Sequence, residues 1–175
     1  MERAVYVISG IPGAGKTTVS RLLAARFACG VHLESDRLQE LIVTGGLWPD
    51  QEPQEEAHRQ LRLRGRNVCL LADSFFESGF TPVVDDVVIG ARLEEFRSDL
   101  RSRPLSFVML TPRVEVVEAR DGARQEKHVF DIWGHLDTVV RNETAKVGLW
   151  LDTSEMTADE TVDAILRDAS RARIQ

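Results

Sequence analysis

The stretch from residue 8 to residue 20, ISGIPGAGKTTVS, decides how the rest of the chain is read. Three glycines and a proline fall within six positions, and a lysine and two threonines follow. Such a run makes a poor helix and a poor strand, because glycine loses the most backbone entropy on ordering and proline lacks an N–H donor. It is flanked by structure on both sides. AVYVIS (4–9) is a short apolar run, and KTTVSRLLAARFA places Val19, Leu22, Leu23 and Phe27 at helical spacing. Gly10, Gly15, Lys16 and Thr17 fit the pattern G-x-x-x-x-G-K-[ST]. The glycines let the backbone curl so that its N–H groups converge on an anion, and the next helix adds its positive end. On this reading Gly10, Ile11, Pro12, Gly13, Ala14, Gly15, Lys16, Thr17 and Thr18 hold the phosphates of ATP. Lys16 reaches the β- and γ-phosphates, and the Thr17 hydroxyl ligates Mg²⁺. A plain glycine-rich turn is the competing reading, but a chance match should arise in under ~1% of chains this long.

Composition bounds the rest. The 175 residues amount to one domain, and the whole chain, 1–175, is expected to fold as one unit. Hydrophobic residues at 43% and charged residues at 29% are ordinary for a globular protein. A net charge of −6 disfavours long nucleic acid, whose affinity comes mostly from Lys and Arg on phosphates. Small substrates and short nucleic-acid ends stay open. No apolar run is long enough to span a bilayer, and the apolar part of MERAVYVISG is too short for a signal peptide, so a cytoplasmic protein without a membrane partner is expected. Cys29 and Cys69 stand far apart with no CxxC and read as buried, reduced thiols.

Strands are expected at 4–9, 31–35, 81–89, 105–112 and 147–153, with helical stretches between them. The longest helix spans Glu55 to Ser78, and Ser154 or Thr157 caps the last one. Strands alternating with helices imply right-handed crossovers and a parallel sheet covered on both faces. The expected architecture is an α/β P-loop fold of five parallel strands, order 2-3-1-4-5, with a small helical lid at about 113–130.

Three classes of nucleoside-triphosphate protein compete. A GTPase switch should carry Asn-Lys-x-Asp, which is absent, and a transporter ATPase should carry an LSGGQ-like segment, also absent. A small-molecule kinase needs only a phosphate loop, an acceptor site and an arginine-bearing lid. LESDRLQE places Glu34 and Asp36 at the carboxyl end of the second strand, where ligands bind in open α/β sheets. One of them can lie near Mg²⁺ while the other accepts a proton from an attacking hydroxyl. Asp36 can equally be an N-cap, with Gln39 completing a capping box, and Glu34 a solvated strand end. In VVDDVVIG, Asp85 and Asp86 are costly inside an apolar run unless they bind something, and alternation should point one to each face. Asp85 is assigned to the metal and Asp86 to the acceptor; a buried pair is the alternative.

Arg113, Arg120 and Arg124 surround the lid segment, and Arg120 and Arg124 are the candidates for stabilising the phosphoryl in flight. Arg59, Arg62, Arg64 and Arg66 read as an exposed helix face. Of the aromatics Trp48, Phe75, Phe76 and Trp133, Trp48 in GGLWP is the one hard to explain as core, and it is assigned to the acceptor site.

These segments, ISGIPGAGKTTVSRLL, LESDRLQEL, FTPVVDDVVIGARLEEF and LWLDTS, resemble in order the chloramphenicol phosphotransferase-like P-loop kinases, and more distantly shikimate and gluconate kinases. The resemblance implies transfer of the ATP γ-phosphoryl to a hydroxyl of a small acceptor, such as a hydroxylated antibiotic or a metabolite. It also implies a general-base role for Asp36 and a position near Mg²⁺ for Glu34. No acceptor signature between Asp36 and the third strand matches one known from that family, and the lid ARDGARQEK differs in detail. Alternatives are a nucleotide or nucleic-acid-end kinase, an ATP hydrolase, and a nucleotide-binding regulatory module.

Overall fold

A computed structural model describes residues 3–122 and 136–174. Its sheet has the order β2-β3-β1-β4-β5, built from β1 (Val5–Ser9), β2 (Gly30–Glu34), β3 (Thr81–Asp85), β4 (Leu105–Leu110) and β5 (Leu149–Leu151). All four neighbouring pairs are parallel. Every residue of β1, β3 and β4 is buried, as expected for strands covered on both faces. The connecting helices are α1 (Lys16–Ala24), α2 (Ser35–Glu40), α3 (Gln54–Glu77), α4 (Arg92–Asp99), α5 (Val114–Gly122), α6 (Leu136–Asn142), α7 (Ala158–Arg167) and α8 (Ala169–Ala172). The core runs through the sheet: Ile8, Leu105, Phe107 and Met109 on the strands meet Leu23, Leu93 and Ile165 from the helices. Each of these large side chains is almost fully removed from water, a contribution of about 1.5–3 kcal/mol apiece.

Register brings the site together. Ile8 and Glu34 both pair with Asp85, so the carboxyl ends of β1, β2 and β3 finish level with one another. The phosphate loop leaves β1 at that edge, and α2 leaves β2 there.

Three expectations need correction. The third strand stops at Asp85 rather than running to residue 89. Beyond it, the Ser9 hydroxyl donates to the Val88 carbonyl (2.9 Å) and accepts from the Val88 N–H (3.0 Å), so a side chain replaces the ladder bonds of β1. Cys29 is exposed, while Cys69 is buried and its thiol is pushed up, chiefly by burial. A sixth strand, β6 (Arg173–Ile174), pairs antiparallel with β4; two residues give no readable alternation. The long helix is continuous over Gln54–Glu77, and the last long helix carries a full capping box, with Thr157 accepting from the Glu160 N–H and Glu160 accepting from the Thr157 N–H. Among the described residues no helix is long and apolar enough to cross a membrane.

Candidate active site

The phosphate loop is held open by glycines at strained positions. Gly10 has φ 151° and Gly13 has φ 88°. A Cβ on Gly10 would lie 2.8 Å from the Leu110 carbonyl oxygen, and one on Gly13 would lie 2.7 Å from Val117 Cγ1. Larger residues would collide with β4 or α5, so the spacing of the glycines is a packing requirement as well as a conformational one. Ile11 and Ala14 between them are buried in the core and anchor the loop. Gly15, at φ 94°, is the N-cap of α1 and supplies no capping side chain, so the first-turn N–H groups have no side-chain acceptor. Lys16 Nζ folds back onto the Ile11 carbonyl at 3.2 Å. The arrangement offers an anion a ring of backbone donors, a helix N-terminus and an ammonium group.

Two clefts flank this loop. One, of about 310 Å³, runs from Gly13, Lys16 and Thr17 to Glu34, Asp36 and Trp48, and both Asp85 and Asp86 line it. The other, of about 360 Å³, shares Gly13, Gly15 and Thr18 and is completed by Arg120, Thr153 and Met156. Sequence had assigned Lys16, Thr17, Glu34, Asp36, Trp48, Asp85 and Asp86 to one site; the fold brings these side chains to one cleft. Phe75 instead packs edge-on against Phe80, and Phe76 lies under the Arg3 guanidinium. Arg124 and Trp133 lie outside the described residues.

The acidic residues are not equivalent. β3 ends at Asp85, and both Asp85 and Asp86 line the first cleft, with different neighbours: His32 for Asp85, Arg64 and Arg92 for Asp86. Asp86 is fully buried and accepts from Arg64 (3.2 Å), Arg92 (3.0 Å) and the Val87 N–H (2.8 Å). Burial would raise its carboxyl, but Arg92 and Arg64, the Ser35 hydroxyl and the Val87 N–H prevail and hold it at about 2. Asp36 lies in the first turn of α2 and makes no capping bond; Glu34 occupies the N-cap position. Its carboxylate instead accepts from Arg64 at 2.9 Å. The capping alternative for Asp36 is therefore set aside. Gln39 does not complete a capping box either, since it bonds the Leu47 carbonyl and Gln60.

Arg64 corrects a second expectation. It is buried rather than part of a solvated face, and it links α2 to the end of β3 through Asp36 and Asp86. Arg92 reaches Asp86 from α4 and also donates to the Val87 carbonyl. One signal for this network stood in the sequence, namely a glycine inside a helical pattern beside an arginine. A Cβ on Gly65 would come within 3.4 Å of the Arg92 guanidinium. A further set of buried amides was also missed. Gln60 donates to the Gly45 carbonyl and accepts from the Leu47 N–H, which fixes the loop that carries Trp48.

The oxygen donors of the first cleft suit Mg²⁺, a hard cation usually held by one or two carboxylates plus substrate phosphates. Asp85 Oδ2 is buried without a hydrogen-bond partner, and His32 Nε2 stands 3.5 Å from it. With the Thr17 hydroxyl and Glu34 on the same cleft, Asp85 completes a set of oxygens of the right kind. Among the described residues no group of three or more His, Cys, Asp or Glu side chains could hold a metal by itself. The cation would need phosphate oxygens as further ligands.

Arg120 lies on the second cleft and donates to the Thr153 carbonyl at 3.0 Å. Arg113 is exposed and pairs with Glu155. Thr153 Oγ1 is buried without a hydrogen-bond partner beside the same cleft.

Comparison with known proteins agrees with this architecture. The family model described as an AAA domain matches residues 7–134. A UPF0200 protein of Aeropyrum pernix is 35% identical over 86 residues, which cover 48% of this chain and 46% of that protein. The match thus spans about half the length of that relative. A shikimate kinase from Acinetobacter baumannii, solved in complex with shikimate, superposes with a TM-score of 0.63 at 22% identity, covering 96% of this chain and 93% of the other. The APS kinase of Mycobacterium tuberculosis, solved with AMPPNP and APS, gives 0.68 at 15% identity, covering 97% and 99%. At these identities the likeness is one of fold.

Proposed function

The chain belongs to the AAA domain family, and from that premise we propose that it is a small-molecule kinase: it transfers the γ-phosphoryl of ATP to a hydroxyl of a small acceptor, with Mg²⁺ as cofactor. The observation that carries the reading is that the phosphate loop and Asp36 line one cleft. A phosphoryl group held by the loop would face an acceptor hydroxyl held near Asp36, which is the positioning that phosphoryl transfer chiefly requires. The chloramphenicol phosphotransferase-like acceptor class, a hydroxylated antibiotic or similar alcohol, belongs to the same proposal, as do the single domain over 1–175, the lid at about 113–130 and a cytoplasmic setting.

In this mechanism the loop's backbone N–H groups and Lys16 bind the β- and γ-phosphates and withdraw charge from them. The base and ribose occupy the second cleft, between Arg120 and the Thr153–Met156 turn. Asp36, held by Arg64, accepts a hydrogen bond from the acceptor hydroxyl, aims its oxygen at the γ-phosphorus and takes its proton as the new P–O bond forms, the bond from the γ-phosphorus to the β,γ-bridging oxygen breaks and ADP leaves with that electron pair. Thr17, Asp85 and Glu34 would hold Mg²⁺, which would supply positive charge to offset that of the phosphates. Arg120, with Arg124, stabilises the transferring group. Asp86, assigned from the sequence to the acceptor, acts on it through Arg64, which it keeps in place against Asp36.

The test is an ATP-consumption screen over hydroxylated metabolites and antibiotics, with mass detection of products. A product heavier by ~80 Da, the mass of an added phosphoryl, is expected for at least one alcohol. Release of inorganic phosphate at one rate with every acceptor, and no heavier product, would leave an ATP hydrolase in its place.

A further inference from the structure

The charges at the far end of the first cleft restrict what can enter it. Beyond Lys16 and Thr17, its lining carries five carboxylates, Glu34, Asp36, Glu40, Asp85 and Asp86. Among the described residues three arginines pair with these carboxylates. Arg64 bonds Asp36 and Asp86 through its two terminal nitrogens and lies over the Trp48 ring, while its Nε is buried without a hydrogen-bond partner. Arg92 bonds Asp86 and the Val87 carbonyl. Arg37 bonds Glu34 and Glu40. Even if Glu34 and Asp85 serve a divalent cation, the remaining three acids and three arginines balance to zero. Arg64 Nε is closed off by burial, so an anionic acceptor would have to displace a carboxylate from one of these pairs, and for Arg64 that would leave Asp86 buried with only one of its two guanidinium partners. The apolar side chains at this end are Trp48 and Val87. The Trp48 loop is set in position by Gln60, which bonds both Gly45 and Leu47, so the indole is presented without an ordering step.

We infer that the acceptor is an alcohol bearing no negative charge, which lays an apolar face against Trp48. The inference rests on the kinase reading above and deepens it, since it sets this cleft apart from sites that receive hydroxy acids. Uncharged and cationic alcohols meet exposed carboxylate oxygens at Glu40 and Asp36, whereas a carboxylate or phosphate on the acceptor meets like charge and arginines already paired with carboxylates.

A matched trio of benzylic alcohols tests this: phenylethanediol (uncharged), phenylethanolamine (cationic) and mandelate (anionic). Binding to the full chain is measured by ligand-observed NMR titration with Mg²⁺ and a non-hydrolysable ATP analogue. Phosphoryl transfer is followed in parallel with γ-labelled ATP. The diol and the amine are expected to bind at least about tenfold more tightly than mandelate. Glu40→Lys, at a half-exposed position, adds a cation at the rim and releases Arg37 from one partner, so it should narrow that gap by about threefold or more while leaving analogue binding intact. Mandelate binding as tightly as the diol, binding by neither the diol nor the amine, or a gap indifferent to Glu40→Lys would each overturn the inference. If the diol binds and no labelled product forms, the kinase reading falls and the charge rule stands. If label passes only to mandelate, the kinase reading stands and the charge rule falls.

Discussion

The two ends of the first cleft are built in different ways. The phosphate end is made of backbone: glycines at positive φ, a helix N-terminus and one lysine, all within the segment from residue 10 to residue 18. The acceptor end is made of side chains from distant segments. Asp36 meets Arg64 across 28 residues, and Arg64 meets Asp86 across 22. Backbone geometry is shared by any protein that binds triphosphates through such a loop, whereas a side-chain network can be exchanged residue by residue. The phosphate end therefore speaks for the reaction, and the acceptor end for the substrate.

If that division is right, the largest loss should come from the phosphate end without loss of fold. Lys16→Ala removes the charge on the β- and γ-phosphates, and we expect transfer to fall by about 10²–10³-fold or more, as for removal of an oxyanion donor. The melting temperature should stay near wild type, because the Lys16 side chain is only partly buried and its Nζ bonds a carbonyl of its own loop, that of Ile11. Activity near wild type would reduce the loop to a turn.

The acceptor end should behave oppositely and answer to stability. Asp86→Ala leaves Arg64 and Arg92 without their buried counter-charge, a change that costs about 3–5 kcal/mol. For a domain of this size that is a fall in melting temperature of roughly 10 °C. A fall of only a degree or two would mean that the network does not hold α3 and α4 to the sheet.

Acid should weaken the same network. The folded Asp86 carboxyl sits at about 2, below its unfolded value of about 3.9. Its contribution is therefore fully present above pH ~4 and is lost as pH falls toward 2, and it amounts to roughly 2 kcal/mol. Urea unfolding of wild type and Asp86→Asn across this window should show the stability difference shrinking as pH falls; parallel curves would place the acid sensitivity elsewhere. The smallest effect expected is at neither end of the first cleft. Thr157→Ala removes the capping bond to the Glu160 N–H and should cost about 1 kcal/mol, read as a fall of a few degrees in melting temperature.

The same division explains what could be read from the sequence. The phosphate loop, the sheet order and the assignment of Glu34, Asp36, Trp48, Asp85 and Asp86 to one cleft follow from local spacing and from the rule that ligands gather at the carboxyl ends of parallel strands. Arg64 was misread because four arginines within eight residues look like a solvated stripe, and only tertiary packing turns one of them inward. The Gln39–Gln60 pair carries no charge and no motif; its role appears only when α2, α3 and the Trp48 loop are brought together. The end of β3 at Asp85 depended on Ser9, a residue 76 positions away that no periodicity could connect to it.

The most direct test of the two-ended cleft is one pair of numbers for Asp36→Asn: affinity for a non-hydrolysable ATP analogue, and rate of γ-phosphoryl transfer to an accepted alcohol. Asn keeps the shape of Asp36 and can still accept from Arg64, so the fold should hold. The account predicts analogue affinity within about threefold of wild type and transfer lower by about 10²–10⁴-fold, the range for loss of a positioned general base. Full transfer in the folded variant, or an analogue affinity that falls in step with transfer, would contradict the separation of a phosphate end from an acceptor end.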